Sequence, residues 1–521
     1  MNISFFGAAK CVTGSCYKIS YDDVNFLVDC GMFQGSKSLR TNNYLDFYFD
    51  PASIDFVLLT HAHIDHTGLL PKLVKAGFKG PVYATEVTID LLKAMLPDSA
   101  RIQVYDVMLK NKRNERRGLP PVEPIYDESD AANALNLMRP VKLHVSFEPA
   151  KGCKATYYEA GHVLGSSFIK IELKNSSGEE RSIIFSGDMG GENRPIIEDP
   201  DKFPTADFLV MESTYGNRTR EEVDSDKRLA DIAAIVNRTE ERGGKVIIPA
   251  FALERTQDLI YDLIKLKKRK QISSIPVIVD SPLASEITRV FIKYPNHYDE
   301  EATEVLEGTG NIFDHSDISF TSSVDDSKAL NERDRVIILS ANGMCDAGRI
   351  KHHLIHNLWN PNNTVVFVGF QAEGTLGRLI IDGEETVRIN GKEIKVNAEI
   401  TQIDGYSGHA DQTELFEQIE TMPEKPGHIF VTHGESEASE EFAKLIEEKY
   451  QISASVPSMF ESVNLLDIQT SVLKEHETPV LSDSHNLYAR FMLELADYMR
   501  AEESEEKRYK KLESFLKKLE K

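Results

Sequence analysis

His61-Ala62-His63-Ile64-Asp65-His66 sets three imidazoles and a carboxylate within six residues. Neutral imidazole nitrogen with carboxylate oxygen is the donor mixture that zinc favours. The run follows the apolar stretch 54–60, which reads as a buried strand. Alternation sends His61 and His63 to one side, while Asp65 and His66 turn back with the loop. One short segment can therefore serve two adjacent ions. Four residues cannot complete two sites, so further ligands are expected at other strand ends. Gly161-His162-Val163, Ser186-Gly187-Asp188 and Val431-Thr432-His433-Gly434 each follow a short apolar run. His162, Asp188 and His433 thus each stand at a strand terminus beside a glycine, where backbone can turn tightly.

The elements that must carry these side chains fall into two rhythms. Short β-branched and aromatic runs at 2–7, 16–21, 24–29, 155–160, 168–173, 183–186 and 208–212 read as strands. The stretches 69–75 and much of 86–140 read as helical, with a basic patch at 110–117. From about 217 to 385 the pattern changes to strand–helix alternation. Val/Ile-rich runs at 245–249, 276–280, 335–340 and 364–369 precede helical stretches at 254–268, 283–294, 348–358 and 375–380. Such alternation implies a parallel sheet covered by helices. Strands resume at 385–389, 394–400 and 428–432, and a tail beyond 460 ends in a charged helix over 485–521.

The 521 residues suggest two to four domains. A 41% hydrophobic, 27% charged composition excludes disordered, collagen-like and coiled-coil chains. No stretch is long and apolar enough for a membrane helix, and the first residues do not read as a signal peptide. Five cysteines, odd in number and without a CxxC pair, fit a reducing, cytoplasmic setting better than a disulfide framework. The net charge of −23 argues against nucleic acid if taken alone. A cleft enzyme, however, needs only local positive charge, part of which bound metal ions supply.

Asp29, the HxHxDH run, and the isolated His162, Asp188 and His433 resemble the metallo-β-lactamase superfamily. Met211-Glu212-Ser213-Thr214-Tyr215-Gly216, Ser407-Gly408-His409-Ala410-Asp411 and Thr432-His433-Gly434-Glu435 are similar to the additional motifs of its β-CASP nucleases. Ile248-Pro249-Ala250-Phe251, Asp280-Ser281-Pro282-Leu283-Ala284, Gly343-Met344-Cys345 and the segment 369–378 read like the same group, as does Cys11-Val12-Thr13-Gly14-Ser15-Cys16. The resemblance covers about residues 1–455. It is strongest to bacterial and archaeal RNA-processing members related to the endonuclease subunit of the eukaryotic pre-mRNA 3′-end machinery.

The resemblance implies an α/β protein: an αββα sandwich with an inserted α/β cap built on a parallel sheet. The expected layout is 1–216 and 396–460 for the sandwich, 217–395 for the β-CASP cap, and 461–521 for a helical tail. It implies two zinc ions per chain. His61, His63 and His162 hold the first, Asp65, His66 and His433 the second, and Asp188 bridges both. Asp29 orients a ligand histidine. Two close zinc ions lower the pKa of a shared water. His409 is the expected general acid for the leaving 3′-oxygen, held in its tautomer by Glu212. Ser407, Arg378, Thr13 and Gly14 are expected phosphate contacts. The implied activity is hydrolysis of single-stranded RNA. A DNA nuclease of the same fold is the nearest rival, but relatives acting on DNA tend to lack a histidine at the position of His433. A small-molecule metallo-hydrolase lacks so large an insertion, and a metal-free scaffold lacks the full ligand set.

Some positions depart from the family pattern. Glu254 stands where a small residue is usual, Asn342 where serine is common, and Arg220 where a histidine often stands. His352 and His356 share a helix face but lack an HExxH glutamate, so His352, His353 and His356 read as cap-helix residues. The run 265–270 reads as a solvated helix C-terminus, whose cations complement the dipole. Tyr509, Leu512, Phe515, Leu516 and Leu519 at helical spacing suggest core or homodimer packing by the tail rather than a membrane face.

Overall fold

A computed structural model describes residues 1–219, 225–369, 371, 374–403, 405–472, 504, 507–510 and 513. Two sheets face each other. The first runs in the order 469–472, 461–464, 2–5, 17–21, 24–28, 56–58, 82–85, 138–141. The second runs 453–455, 428–432, 208–212, 180–185, 167–174, 153–159, 147–150. The two-residue period of strands sorts side chains between layers. In Phe208–Glu212, Phe208 and Val210 enter the inter-sheet core, while Leu209 and Met211 meet the helix layer. Both faces are buried, which is why this strand reads as an unbroken apolar run. Phe26 and Phe56 stack at 4.6 Å between neighbouring parallel strands in the same core. Full burial of each ring is worth about 1.5–3 kcal/mol. Helices Leu70–Lys75, Glu86–Glu115 and Glu128–Asn136 belong to the first sheet's side, and Gln412–Thr421 and Ser436–Tyr450 cover the second. The result is the expected αββα sandwich.

The insertion is an α/β cap. Its main sheet has six strands, in the order 318–320, 277–279, 337–340, 246–249, 364–367, 399–402, all parallel, and 386–389 and 392–395 form a separate antiparallel hairpin. Val246, Ile248, Val277 and Leu339 pack to one side against Leu259, Leu263 and Phe291, while Ile247, Val365 and Phe367 pack to the other against Leu354 and Leu376. The cap also grips the sandwich. Asp90, on the helix Glu86–Glu115, accepts hydrogen bonds from Lys293 and, at 2.7 Å, from the Tyr294 hydroxyl.

Two expected boundaries shift. Glu399–Gln402 pairs with Thr364–Phe367 in the cap sheet, so the cap's hydrogen bonding extends past 395. Glu461–Asn464 and Gln469–Val472 form a hairpin on the edge of Asn2–Phe5, so the first sheet continues past 460. Arg220 and most of 485–521, with Leu512, Phe515, Leu516 and Leu519 and the homodimer contact expected of them, lie outside the described residues. No described helix is long and apolar enough to cross a membrane.

Candidate metal centre and active site

Every predicted ligand leaves a strand at the same edge of the sandwich. Asp29 follows Val24–Val28, His61 and His63 follow Phe56–Leu58, and the short helix Ile64–Thr67 carries Asp65 and His66. His162, Asp188 and His433 follow the strands ending at Glu159, Phe185 and Thr432. At Asp188 the turn is made by Gly187, with φ +54°, where a Cβ would lie 2.8 Å from Thr60. At Asp29 and His433 no glycine takes the strain: these residues themselves hold φ of 60° and 48°. Aspartate and histidine are among the side chains that enter the left-handed region most readily.

The side chains converge as two clusters sharing an edge. His61 Nε2 lies 3.0 Å and His162 Nε2 3.2 Å from His63 Nδ1. The Asp188 carboxylate closes this group at 3.6 Å from His61 and 3.5 Å from His162. Its other oxygen lies 3.1 Å from His66 Nε2 and 3.5 Å from His433 Nδ1, and His433 Nε2 lies 3.5 Å from Asp65.

These atoms fit a cation. Tautomers follow from the outward partners. His162 Nδ1 donates to the Gly408 carbonyl at 2.8 Å, and His66 Nδ1 donates to Asp29 at 2.7 Å. Thr60 donates its hydroxyl proton to Asp29 at 2.8 Å and so accepts from His61 Nδ1 at 3.1 Å. The Nε2 of His61 and of His162 is then a bare lone pair aimed inward, while Asp188 and Asp29 on either side of His66 draw its pKa up against burial. Burial pushes His61 and His162 well below the usual imidazole range and His63 to about 4, against the pull of Asp188. A cation between His61 Nε2, His162 Nε2 and His63 Nδ1 would satisfy all three nitrogens at once. A tetrahedral zinc with bonds of about 2.0–2.1 Å has ligand–ligand edges of about 3.3 Å, close to these spacings. Asp188 Oδ1 is buried without a hydrogen-bond partner, as a metal-bridging oxygen would be.

His409 sits beside this centre. Its Nδ1 lies 3.1 Å from both Glu212 oxygens, and its side chain keeps 21% exposure, whereas Glu212 is fully buried. Glu212 cannot swing away, because the Met189 backbone N–H donates to it at 2.6 Å. Ser407 donates to the Tyr215 hydroxyl at 3.2 Å, close to the His409 ring.

Other expected phosphate contacts have local partners. Arg378 is 43% exposed and gives its Nε to both oxygens of Asp382, one turn along its own helix. Thr13 accepts from Gln34 N at 3.2 Å, and Gly14 lies against the Phe33 ring. Their neighbour Ser15 reaches His66 Nε2 at 3.4 Å. His353 is buried and bonds Asp280 at 2.6 Å, so the His352/His353/His356 group forms no common site.

Several supporting residues were invisible in the sequence. Thr60 links His61 to Asp29. Arg194 donates to the carbonyls of His162, Gly161 and Gly408, tying the His162 loop to the His409 turn. Asp258 of the cap pairs with Arg255 at 2.8 Å and approaches Arg194 at 3.6 Å. Gly408 leaves no room for a side chain: a Cβ would lie 2.4 Å from Arg255 Nη2 and 3.0 Å from the His162 ring. Glu254, the family departure, accepts from Leu164 N at 2.9 Å, two residues past His162.

Comparison with known proteins agrees with this architecture. Residues 9–166 match the metallo-beta-lactamase superfamily model, 256–380 the Beta-Casp domain, and 393–457 the Zn-dependent metallo-hydrolase RNA specificity domain. The chain is 36% identical over 448 residues to Ribonuclease TTHA0252 of Thermus thermophilus, covering 86% of this chain and 96% of that protein. It is 29% identical to the transcription termination factor FttA of Methanosarcina mazei, covering 89% of this chain and 72% of that one. A crystal structure of a protein of unknown function from Enterococcus faecalis V583 shares the fold, with a TM-score of 0.50 at 13% identity, over 89% of this chain and 99% of that one. A metal cofactor accords with these matches and with the clustered ligands. The chain belongs to the metallo-β-lactamase superfamily, within its β-CASP branch.

Proposed function

We propose that this protein is a zinc-dependent ribonuclease that hydrolyses phosphodiester bonds of single-stranded RNA with two zinc ions per chain. The observation that carries the reading is the clustering of His61, His63, His162 and Asp188 beside Asp65, His66 and His433, with the His409–Glu212 pair alongside. His61, His63 and His162 would hold one ion, Asp65, His66 and His433 the other, and Asp188 would bridge them. When bound, the ions supply an activated water and neutralise charge on the scissile phosphate. The remaining work falls to side chains. Glu212 occupies His409 Nδ1, so Nε2 is the atom that gives a proton to the leaving 3′-oxygen. Asp29 fixes the His66 ring directly and the His61 ring through Thr60. Ser407, hydrogen-bonded to Tyr215 beside His409, remains the candidate for a phosphate oxygen.

RNA as substrate is supported by the RNA specificity domain match at 393–457 and by the relative named a ribonuclease. A cytoplasmic setting belongs to the same proposal and is supported by five free cysteines, four of them buried. The test is incubation of the purified protein with end-labelled single-stranded RNA carrying different 5′ ends, and with matched DNA. Cleavage of RNA with DNA spared is expected, and the product ladder separates internal cutting from 5′ trimming. Equal cleavage of DNA, or no cleavage of either, contradicts the reading.

A further inference from the structure

The helix Glu86–Glu115 is 30 residues long, yet its buried residues stop at Ala100. Pro97, which has no N–H for the carbonyl of Lys93, marks the end of the packed half. Beyond it the chain forms an ordered projecting arm. Asn111 donates to Val122 O at 2.9 Å and accepts from Val122 N at 2.8 Å, and Asn114 donates to Pro120 O at 3.0 Å. These bonds clamp the returning chain onto the helix tip. The arm exposes large apolar groups: Tyr105 is 57%, Met108 41% and Leu119 51% accessible.

The tip is also a concentration of positive charge in a chain of net charge −23. Lys110, Lys112, Arg113, Arg116 and Arg117 surround a single acid, Glu115. All five cations are exposed, and among the described residues none has an acidic partner. The other basic run differs. Lys265 pairs with Glu301, Arg269 pairs with Asp226, and Lys267 is buried on the carbonyls of Ser273 and Ile275. Spacings of three, four and four residues align Tyr105, Met108, Lys112 and Arg116 along one helix face. An aromatic ring in line with unpaired cations is the combination that holds single-stranded nucleic acid, by stacking and by phosphate neutralisation.

We propose that the arm, residues 101–122, is a second binding surface for the backbone of single-stranded RNA, remote from the metal centre. The proposal rests on the ribonuclease reading above. The helix begins beside the metal centre, where Thr88 donates to Gly165 O at 2.9 Å in the His162 loop. At about 1.5 Å per residue, roughly 37 Å of helix axis separates Thr88 from Arg113. At about 3.4 Å per stacked nucleotide, that is roughly eleven nucleotides. A long RNA can therefore occupy both surfaces, whereas a tetranucleotide cannot.

The experiment compares the zinc-loaded wild type with a variant in which Lys110, Lys112, Arg113, Arg116 and Arg117 are all changed to serine. Binding of fluorescein-labelled 20-mer and tetramer RNAs, made with phosphorothioate linkages to slow hydrolysis, is followed by anisotropy over a range of salt. Cleavage of ordinary RNAs of both lengths is measured in parallel. The variant should bind the 20-mer at least tenfold more weakly, with a salt slope smaller by about 0.7 for each phosphate that is no longer neutralised. Its turnover of the tetramer should be unchanged. Tyr105→Ala alone should weaken the 20-mer without altering the salt slope. Equal 20-mer affinity in variant and wild type overturns the proposal while leaving the nuclease reading intact. Arm-dependent binding without cleavage by the wild type sinks the nuclease reading and keeps the arm. No RNA binding by the wild type overturns the proposal. Loss of a dimer on sedimentation, or loss of binding to anionic vesicles, with RNA affinity unchanged, assigns the surface elsewhere and also overturns it.

Discussion

Asp29 reaches both halves of the ligand cluster from one position, directly through His66 and by way of Thr60 to His61. Loss of an outer-shell partner of this kind typically lowers metal affinity about 10–100-fold. Asp29→Asn is the cleanest variant, because asparagine tolerates the left-handed φ of 60° there. Zinc competition with a chelator should show weakening of both ions, whereas Thr60→Val should loosen chiefly the one held by His61. Unchanged competition curves would remove Asp29 from this role. If Asp188 serves both proposed ions, elemental analysis of Asp188→Ala should find fewer than two zinc ions per chain; two retained ions would refute the bridging assignment. The clustered candidate ligands were legible because each combines a telling residue type with a local landmark, a strand end. Thr60, Arg194, Ser15 and the Gly408 carbonyl were not. Their residue types are commonplace, and bonds such as Arg194 to Gly408 cross more than two hundred residues. Arg378 and Thr13 were named for their chemistry, and each has a local partner in the fold, Asp382 and Gln34 N.

At the scale of elements, the turn before helix Arg255–Lys268 carries one of the unexpected residues, Glu254. Glu254 has φ 69° and ψ −62°, and Arg255 N bonds Leu253 O at 3.0 Å, a strained γ-turn. A small residue avoids part of that strain; glutamate instead supports the His162 loop through Leu164 N. Glu254→Ala should destabilise the fold by about 1–3 kcal/mol, because Leu164 N is left buried and unpaired. Glu254→Gly should melt higher than Glu254→Ala, since it relaxes the turn; the reverse order would show that the turn holds no strain. Burial, helped by Asp258, pushes the Glu254 carboxyl up to about 8. The folded protein thus holds a proton that the unfolded chain releases near about 4.3. The stability from this group is full below about 4.3 and declines as pH rises through 8. Denaturant titrations should show Glu254→Gln flattening that decline, and an identical pH profile would contradict the assignment. The elements that escaped the sequence include short strands and two longer helices, Ser225–Glu241 and Ser436–Tyr450. Glu399–Gln402, Glu461–Asn464 and Gln469–Val472 are four-residue strands with polar residues, defined by their partners rather than by their own periodicity. Ser436–Tyr450 buries only a narrow stripe around Phe442 and Ile446 amid charged residues.

The whole molecule assembles one site from distant parts of the chain. Ligands from 61–188 meet His433 only because Phe208–Glu212 pairs in parallel with His428–Thr432, and His409 arrives on the segment that leaves the cap's last strand. The cap is thereby built into the catalytic edge, with Arg194 and Asp258 at the junction. Division of labour within that site is the central claim: seven residues hold metal, and the His409–Glu212 pair moves a proton. It is tested most directly by measuring zinc content and RNA cleavage on the same preparation of His409→Ala. The account predicts two zinc ions per chain retained, with cleavage reduced about 10²–10⁴-fold, the usual contribution of general acid catalysis. Loss of zinc from this variant, or full activity with both ions in place, would contradict it.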